Sequence, residues 1–152
     1  MSPTQRLALV QRVTDDKERR QAQRLAQSRE RVAQCEAKLK ELQGYHAGYL
    51  SDFDKRAAAG IGASGIREFH AFLAKLAEAI RQQEELLQKA RVDSEAARST
   101  WQGAAQRSKI IDKVVERHTT LESKARDQRD QRESDERGQH TVNGRLDSSG
   151  NQ

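Results

Sequence analysis

The sequence predicts an all-α chain built as a two-helix antiparallel coiled-coil hairpin, and three observations carry that prediction. Seam residues recur in alternating steps of three and four along two long segments, three glycines within six residues separate the segments, and the single proline stands at position 3. The composition agrees. Of the 152 residues 34% are hydrophobic and 4% aromatic, too few for a thick globular core, while 34% are charged. Much of the chain is Ala, Gln, Arg, Glu, Lys and Leu, whose side chains lose little entropy in a helix.

Helix 1 is expected over about residues 4–56. Its seam reads Leu25, Ser28, Val32, Cys35, Leu39, Leu42, His46, Tyr49, Phe53. Residues 57–65 form the expected loop, because Gly60, Gly62 and Gly65 favour backbone conformations that stop a helix, and Ser64 is placed to cap the second helix. Helix 2 is expected over about residues 66–135. Its seam starts at Phe69 and runs through Leu73, Leu76, Ile80, Gln83, Leu87, Ala90, Ser94, Ala97, Trp101, Ala104, Ser108, Ile111 and Val115 to His118 without losing phase.

If the loop folds helix 2 back on helix 1, Phe53 meets Phe69 and every later step matches. Tyr49 then faces Leu73, Leu42 faces Ile80, Cys35 faces Leu87 and Leu25 faces Ala97. The same register sets Gln21 opposite Trp101, Glu18 opposite Ala104, Thr14 opposite Ser108 and Leu7 opposite Val115, so residues 14–21 should pack weakly. The hairpin spans residues 4–125, with helix 2 unpaired beyond about 118. The tail over 137–152, with Gly138, Asn143, Gly144 and Gly150, reads as disordered.

Signals for chemistry fail on context. Gly60, Gly62 and Gly65 spell G-x-G-x-x-G, but a dinucleotide site needs a buried strand before it, and Ala57-Ala58-Ala59 ends a polar helix instead. The histidines at 46, 70, 118 and 140 lack the short-spaced partners of a metal site, so His46 and His118 read as polar interruptions of the seam. Carboxylates on solvated helix faces have no burial to raise a pKa. No enzyme, cofactor or metal is expected. No apolar run approaches the roughly 18 residues that span a bilayer, and the first residues lack a signal-peptide pattern. The expected compartment is the cytoplasm, which suits the lone Cys35. Basic and acidic residues, 28 against 23, are well mixed, which argues against a nucleic-acid stripe.

Two surface features point to protein partners. With His46 and Leu73 as heptad a positions, Lys38, Tyr45, Phe72, Ala79 and Leu86 all fall at g on one side of the seam, and Tyr45, Phe72, Ala79 and Leu86 make an apolar strip near the loop. Broadening of the core is the plainer reading of the same residues, but two helices alone have no third element to cover them. At the opposite, open end residues 6–31 carry eight basic against four acidic side chains, and residues 98–117 five against two. Charge of that sign steers docking toward an acidic cavity, although mixed charge also simply keeps a helix soluble.

The hairpin size, the stretch AGIGASGIREFHAFLAKLAEAI and Trp101 resemble the FliJ family of flagellar type III export proteins over roughly residues 4–125. The resemblance implies a cytoplasmic, non-catalytic stalk, similar to the central coiled coil of rotary ATPases and peripherally associated with the inner membrane. Its implied partners are the hexameric export ATPase FliI, the cytoplasmic domain of the export-gate protein FlhA, and substrate chaperones. Family positions for gate binding map onto Leu42, Tyr45, Tyr49, Phe72, Leu76 and Ala79, with Lys38 and Gln83 at the edges. Leu42, Tyr49 and Leu76 also lie on the seam. The ATPase contact would fall to the basic open end, at Arg12, Lys17, Arg19, Arg20 and Arg24. A stalk of a virulence type III secretion system, a coiled-coil spacer or dimerisation module, and a nucleic-acid binder share parts of this pattern.

Overall fold

Helix initiation is written into the first five residues. Ser2, Pro3 and Gln5 form a capping box, in which the Gln5 amide donates to Ser2 Oγ (3.2 Å) while the Ser2 amide donates to Gln5 Oε1 (3.0 Å). Pro3 takes the first helical position, where its missing N–H costs nothing. The computed structural model describes residues 1–149, with side chains through residue 146. From this cap α1 runs over Pro3–Ala59, ending with the basic Arg56 in its last turn, where a cation complements the helix dipole.

The reversal is shorter than the nine-residue loop the sequence suggested. Gly60 has φ +94°, the left-handed conformation that closes many helices, and its amide still bonds to the Ala57 carbonyl at 3.3 Å. The break thus spans only Gly60, Ile61 and Gly62, and α2 begins at Ala63. Ser64 consequently lies inside α2, and the Gly62 carbonyl accepts the Ile66 amide at 3.1 Å in the place where Ser64 capping was expected. Gly65 has a separate reason to lack a side chain, since a Cβ there would come within 2.7 Å of Ile61 Cγ1.

The second helix also continues further than the sequence reading placed it. α2 spans Ala63–Ser149, covering most of the stretch 137–152 expected to be a disordered tail, while residues 150–152 lie outside the described residues. Residues 119–137 are rich in good helix formers and contain no proline, and isolated glycines such as Gly138 and Gly144 each cost only about 1 kcal/mol relative to Ala.

The two helices pack against each other in antiparallel fashion within two units. The first to describe, Lys17–Ala105, holds the loop. Its register is read from Phe53 against Phe69 (ring centroids 5.3 Å), Gln83 Nε2 donating to the Cys35 carbonyl (3.1 Å), and Trp101 Nε1 donating to Glu18 Oε1 (2.8 Å). All four buried hydrophobics among the described residues, Leu25, Leu87, Ala90 and Ala104, belong to this unit. Burying one leucine contributes roughly 1.5–3 kcal/mol, so the seam is held by small increments along its length.

The other unit comprises Met1–Asp16 with α2 from Gln106 onward. Its register is set by polar contacts. Thr4 Oγ1 meets His118 Nε2 at 3.3 Å and donates to Glu122 Oε1 at 2.7 Å, Gln11 donates to Asp112, and Ser108 donates to Asp15. Pairing therefore reaches one turn past the expected limit at 118. The alternating three-four register holds in both units, because every seam residue named from the sequence is buried or half-buried except Tyr49, which is slightly more open.

Candidate functional site

The strip near the loop is built by the mismatch between a narrow seam and wide aromatic side chains. A two-stranded coiled coil covers positions a and d, and g positions stay at its rim. Tyr45 is accordingly 54% exposed, Leu86 50% and Phe72 39%, while the smaller Ala79 is half-buried. Tyr49 was expected to close the seam against Leu73. Its ring instead stacks on Phe72, with centroids 4.2 Å apart, and meets Phe69 edge-on at 6.2 Å. The ring thereby joins the g residue of the other helix.

Tyr49 and Phe72 thus form one continuous aromatic surface, propped from beneath by the Phe53–Phe69 pair. His70 lies 5.6 Å from Phe53, and the Arg56 guanidinium sits 5.4 Å from the Phe69 ring centre. Such ring pairs contribute about 0.5–1.5 kcal/mol beyond area burial. The Tyr45 hydroxyl donates to Glu41 Oε1 at 3.1 Å. That carboxylate holds the phenol pKa above its ordinary value, chiefly through the hydrogen bond.

The other expected strip residues divide by direction. Leu42 and Leu76 are half-buried, presenting edges to the surface while their bodies close the seam. Lys38 is exposed and lies 3.8 Å from Glu41. Gln83 is half-buried and its amide is engaged across the seam with the Cys35 carbonyl, so it points into the helix pair rather than along the strip. The basic residues expected to meet the ATPase are exposed. Lys17, Arg19, Arg20 and Arg24 stand on α1 in the loop-bearing unit, and Arg12 stands on α1 in the terminal unit.

Among the described residues no group of three His, Cys, Asp or Glu side chains is placed to hold a metal ion, and no helix is long and apolar enough to cross a membrane. The surface offers instead apolar side chains on fixed helices. Sequence reasoning overlooked a second set of them in the terminal unit, at Val10, Val13, Ile110, Val114 and Leu121. The g row that found Tyr45 and Phe72 reaches Val10, Val114 and Leu121 when counted onward, with Val13 and Ile110 at the neighbouring c position.

A family model described as flagellar FliJ protein matches residues 3–146, from the first residue of α1 to near the end of α2. The chain belongs to the FliJ family. No curated protein and no solved structure matches it. The FliJ match takes in both helices and the loop, and membership implies a protein of flagellar export. In this FliJ chain the described helices carry the aromatic patch and the exposed arginines on regular backbone, with Gly60 the one positive φ among the described residues.

Proposed function

We propose that this FliJ-family protein is a cytoplasmic, non-enzymatic stalk of the flagellar export apparatus, joining the hexameric export ATPase FliI to the cytoplasmic domain of the gate protein FlhA. The observation that carries the gate contact is the stacked and exposed Tyr49–Phe72 pair with Tyr45 and Leu86 beside it. Aromatic side chains in a fixed arrangement are the usual anchors of a protein interface. Leu42, Leu76 and Ala79 complete the patch from its seam side, and Lys38 borders it. Gln83 acts indirectly, by holding the register beneath it.

The ATPase contact falls to Lys17, Arg19, Arg20 and Arg24, together with Arg12, whose charge draws them toward an acidic cavity. Binding alone shifts the gate only if the strip has different affinity for two gate states, so gate activation requires that difference. Substrate chaperones and peripheral association with the inner membrane belong to the same reading.

A double substitution tests the gate contact. Phe72→Ala with Tyr45→Ala should weaken binding to purified FlhA cytoplasmic domain by at least about tenfold, since each interface aromatic contributes on the order of 2 kcal/mol, and should impair motility. Wild-type binding and motility would remove the strip from the interface. For the ATPase contact, Arg19→Glu, Arg20→Glu and Arg24→Glu together should abolish stimulation of FliI hydrolysis while circular dichroism stays unchanged; undiminished stimulation would sink that assignment.

A further inference from the structure

The terminal unit presents a second apolar face that differs from the loop strip in both chemistry and charge. Heptad phase puts Val10, Val114 and Leu121 at g, and Val13 and Ile110 at the neighbouring c position. All five side chains are 42–65% exposed. The Thr4–His118 and Gln11–Asp112 contacts fix the register here, so Val10 lies level with Val114 and Val13 with Ile110. Both helices therefore contribute to one flank, with two apolar rungs in succession.

The charges on this flank have a single sign. Arg6 and Arg117, level with each other, lie at c positions beyond the valine rung, and Arg107 lies at g on the far side. All three are exposed, and no c or g position of this unit from residue 3 to 13 or 107 to 124 is acidic. The acids of the e positions, Asp15 and Asp112, lie on the opposite flank and are tied by hydrogen bonds to Ser108 and Gln11. Asp16 and Glu116 fall at outer f and b positions.

We propose that this flank is a docking groove for an amphipathic helix of a partner protein whose apolar face is bordered by Asp or Glu. A third helix laid along the two g rows buries Val10, Val13, Ile110 and Val114 and brings its acidic edges to Arg6, Arg107 and Arg117. This is recognition of a helix in a groove, with apolar anchors at i, i+3 or i+4, and i+7. An anionic membrane also attracts basic and apolar surfaces. The flank has no Trp, Tyr or Phe, the side chains that anchor interfacial helices, and its short β-branched residues suit packing against another helix.

The test uses the full chain and a fluorescein-labelled, stapled helical peptide with Leu at i, i+4 and i+7 and Glu along both borders. A matched peptide carries Lys at the borders. Anisotropy should show binding of the Glu peptide and not the Lys peptide. Val10→Ser with Val114→Ser should weaken binding about tenfold or more, with helicity by circular dichroism unchanged because both sites are exposed. Arg6→Glu with Arg117→Glu should exchange the preference, so that the Lys peptide binds and the Glu peptide does not. Absence of Glu-peptide binding, equal binding of both peptides, or indifference to the substitutions overturns the proposal. So does flotation of the chain with phosphatidylglycerol vesicles when the Glu peptide leaves it free. Neither FliI nor FlhA is present, so failure here leaves the reading of those contacts standing.

Discussion

Trp101, the only tryptophan, spans the seam with its ring and reaches an acid with its nitrogen. An indole N–H left without an acceptor in a half-buried site is costly, and Glu18 supplies that acceptor at 2.8 Å. Trp101→Phe keeps most of the apolar area and removes the bond, so the expected loss is about 1–2 kcal/mol, read as a lower midpoint in urea unfolding followed by circular dichroism. Glu122 behaves differently. Its carboxyl is held below the ordinary value first by the Thr4 hydroxyl; burial opposes this, and His118 and Arg126 add to the lowering. The folded value lies below the unfolded one, so this stabilisation is complete above about pH 4.3 and is lost as pH falls through the folded value. Acidification should therefore lower the amide protection factors at residues 6–9 of α1, after correction for the slower intrinsic exchange, and Thr4→Val should move the Glu122 titration, followed by carboxyl NMR shifts, back toward the ordinary carboxylate range. The seam position of Trp101 was legible in the heptad phase. Its hydrogen bond to Glu18 was not, because phase fixes which face a residue occupies and says nothing of where a long polar side chain reaches.

The loop shows how one dihedral decides an element boundary. Gly60→Ala forces an L side chain into φ +94° and should cost roughly 1–2 kcal/mol, seen as a drop in Tm. Gly62→Ala meets no atom within 4 Å and has no positive φ, so it should stay within about 0.5 kcal/mol of wild type or gain slightly by stiffening the unfolded chain. Three glycines marked the reversal in the sequence, yet composition gives no hint of which one carries the left-handed turn. That ambiguity made the expected loop nine residues long, whereas the chain reverses within residues 60–62, with Gly60 alone left-handed. At the seam, Leu87 is 6% exposed, and Leu87→Ala should destabilise by about 2–4 kcal/mol through lost burial and a cavity. Residues 137–149 of the stretch read as a tail from Gly138, Asn143 and Gly144 lie in α2, since isolated glycines in a long helix each cost only about 1 kcal/mol.

Across the molecule, stability is unevenly distributed between the two units. Leu25, Leu87, Ala90 and Ala104 all lie in the loop-bearing unit, while the terminal unit is registered by Thr4, Gln11, Asp15 and their partners. A hydrogen bond exposed to water contributes about 1 kcal/mol or less, and buried apolar area contributes more. Hydrogen exchange should therefore show the greatest protection at residues 25–35 and 87–104, and opening of residues 3–16 and 106–122 at lower free energy. Uniform protection along both helices would contradict this.

The sequence by itself determined the fold class and pointed to the antiparallel register and the rim position of Tyr45, Phe72 and Leu86, because a three-four period in two segments with matched steps on either side of a glycine loop suits a pair folded back on itself. Tertiary structure decided which rim residues come together. Tyr49 stacked on Phe72, Gln83 turned inward to the Cys35 carbonyl, and the terminal unit took up the polar pairs Gln11–Asp112 and Ser108–Asp15. Periodicity assigns a direction to each side chain, but ring volume and hydrogen-bond reach act between helices, and those distances exist only once the pair has closed.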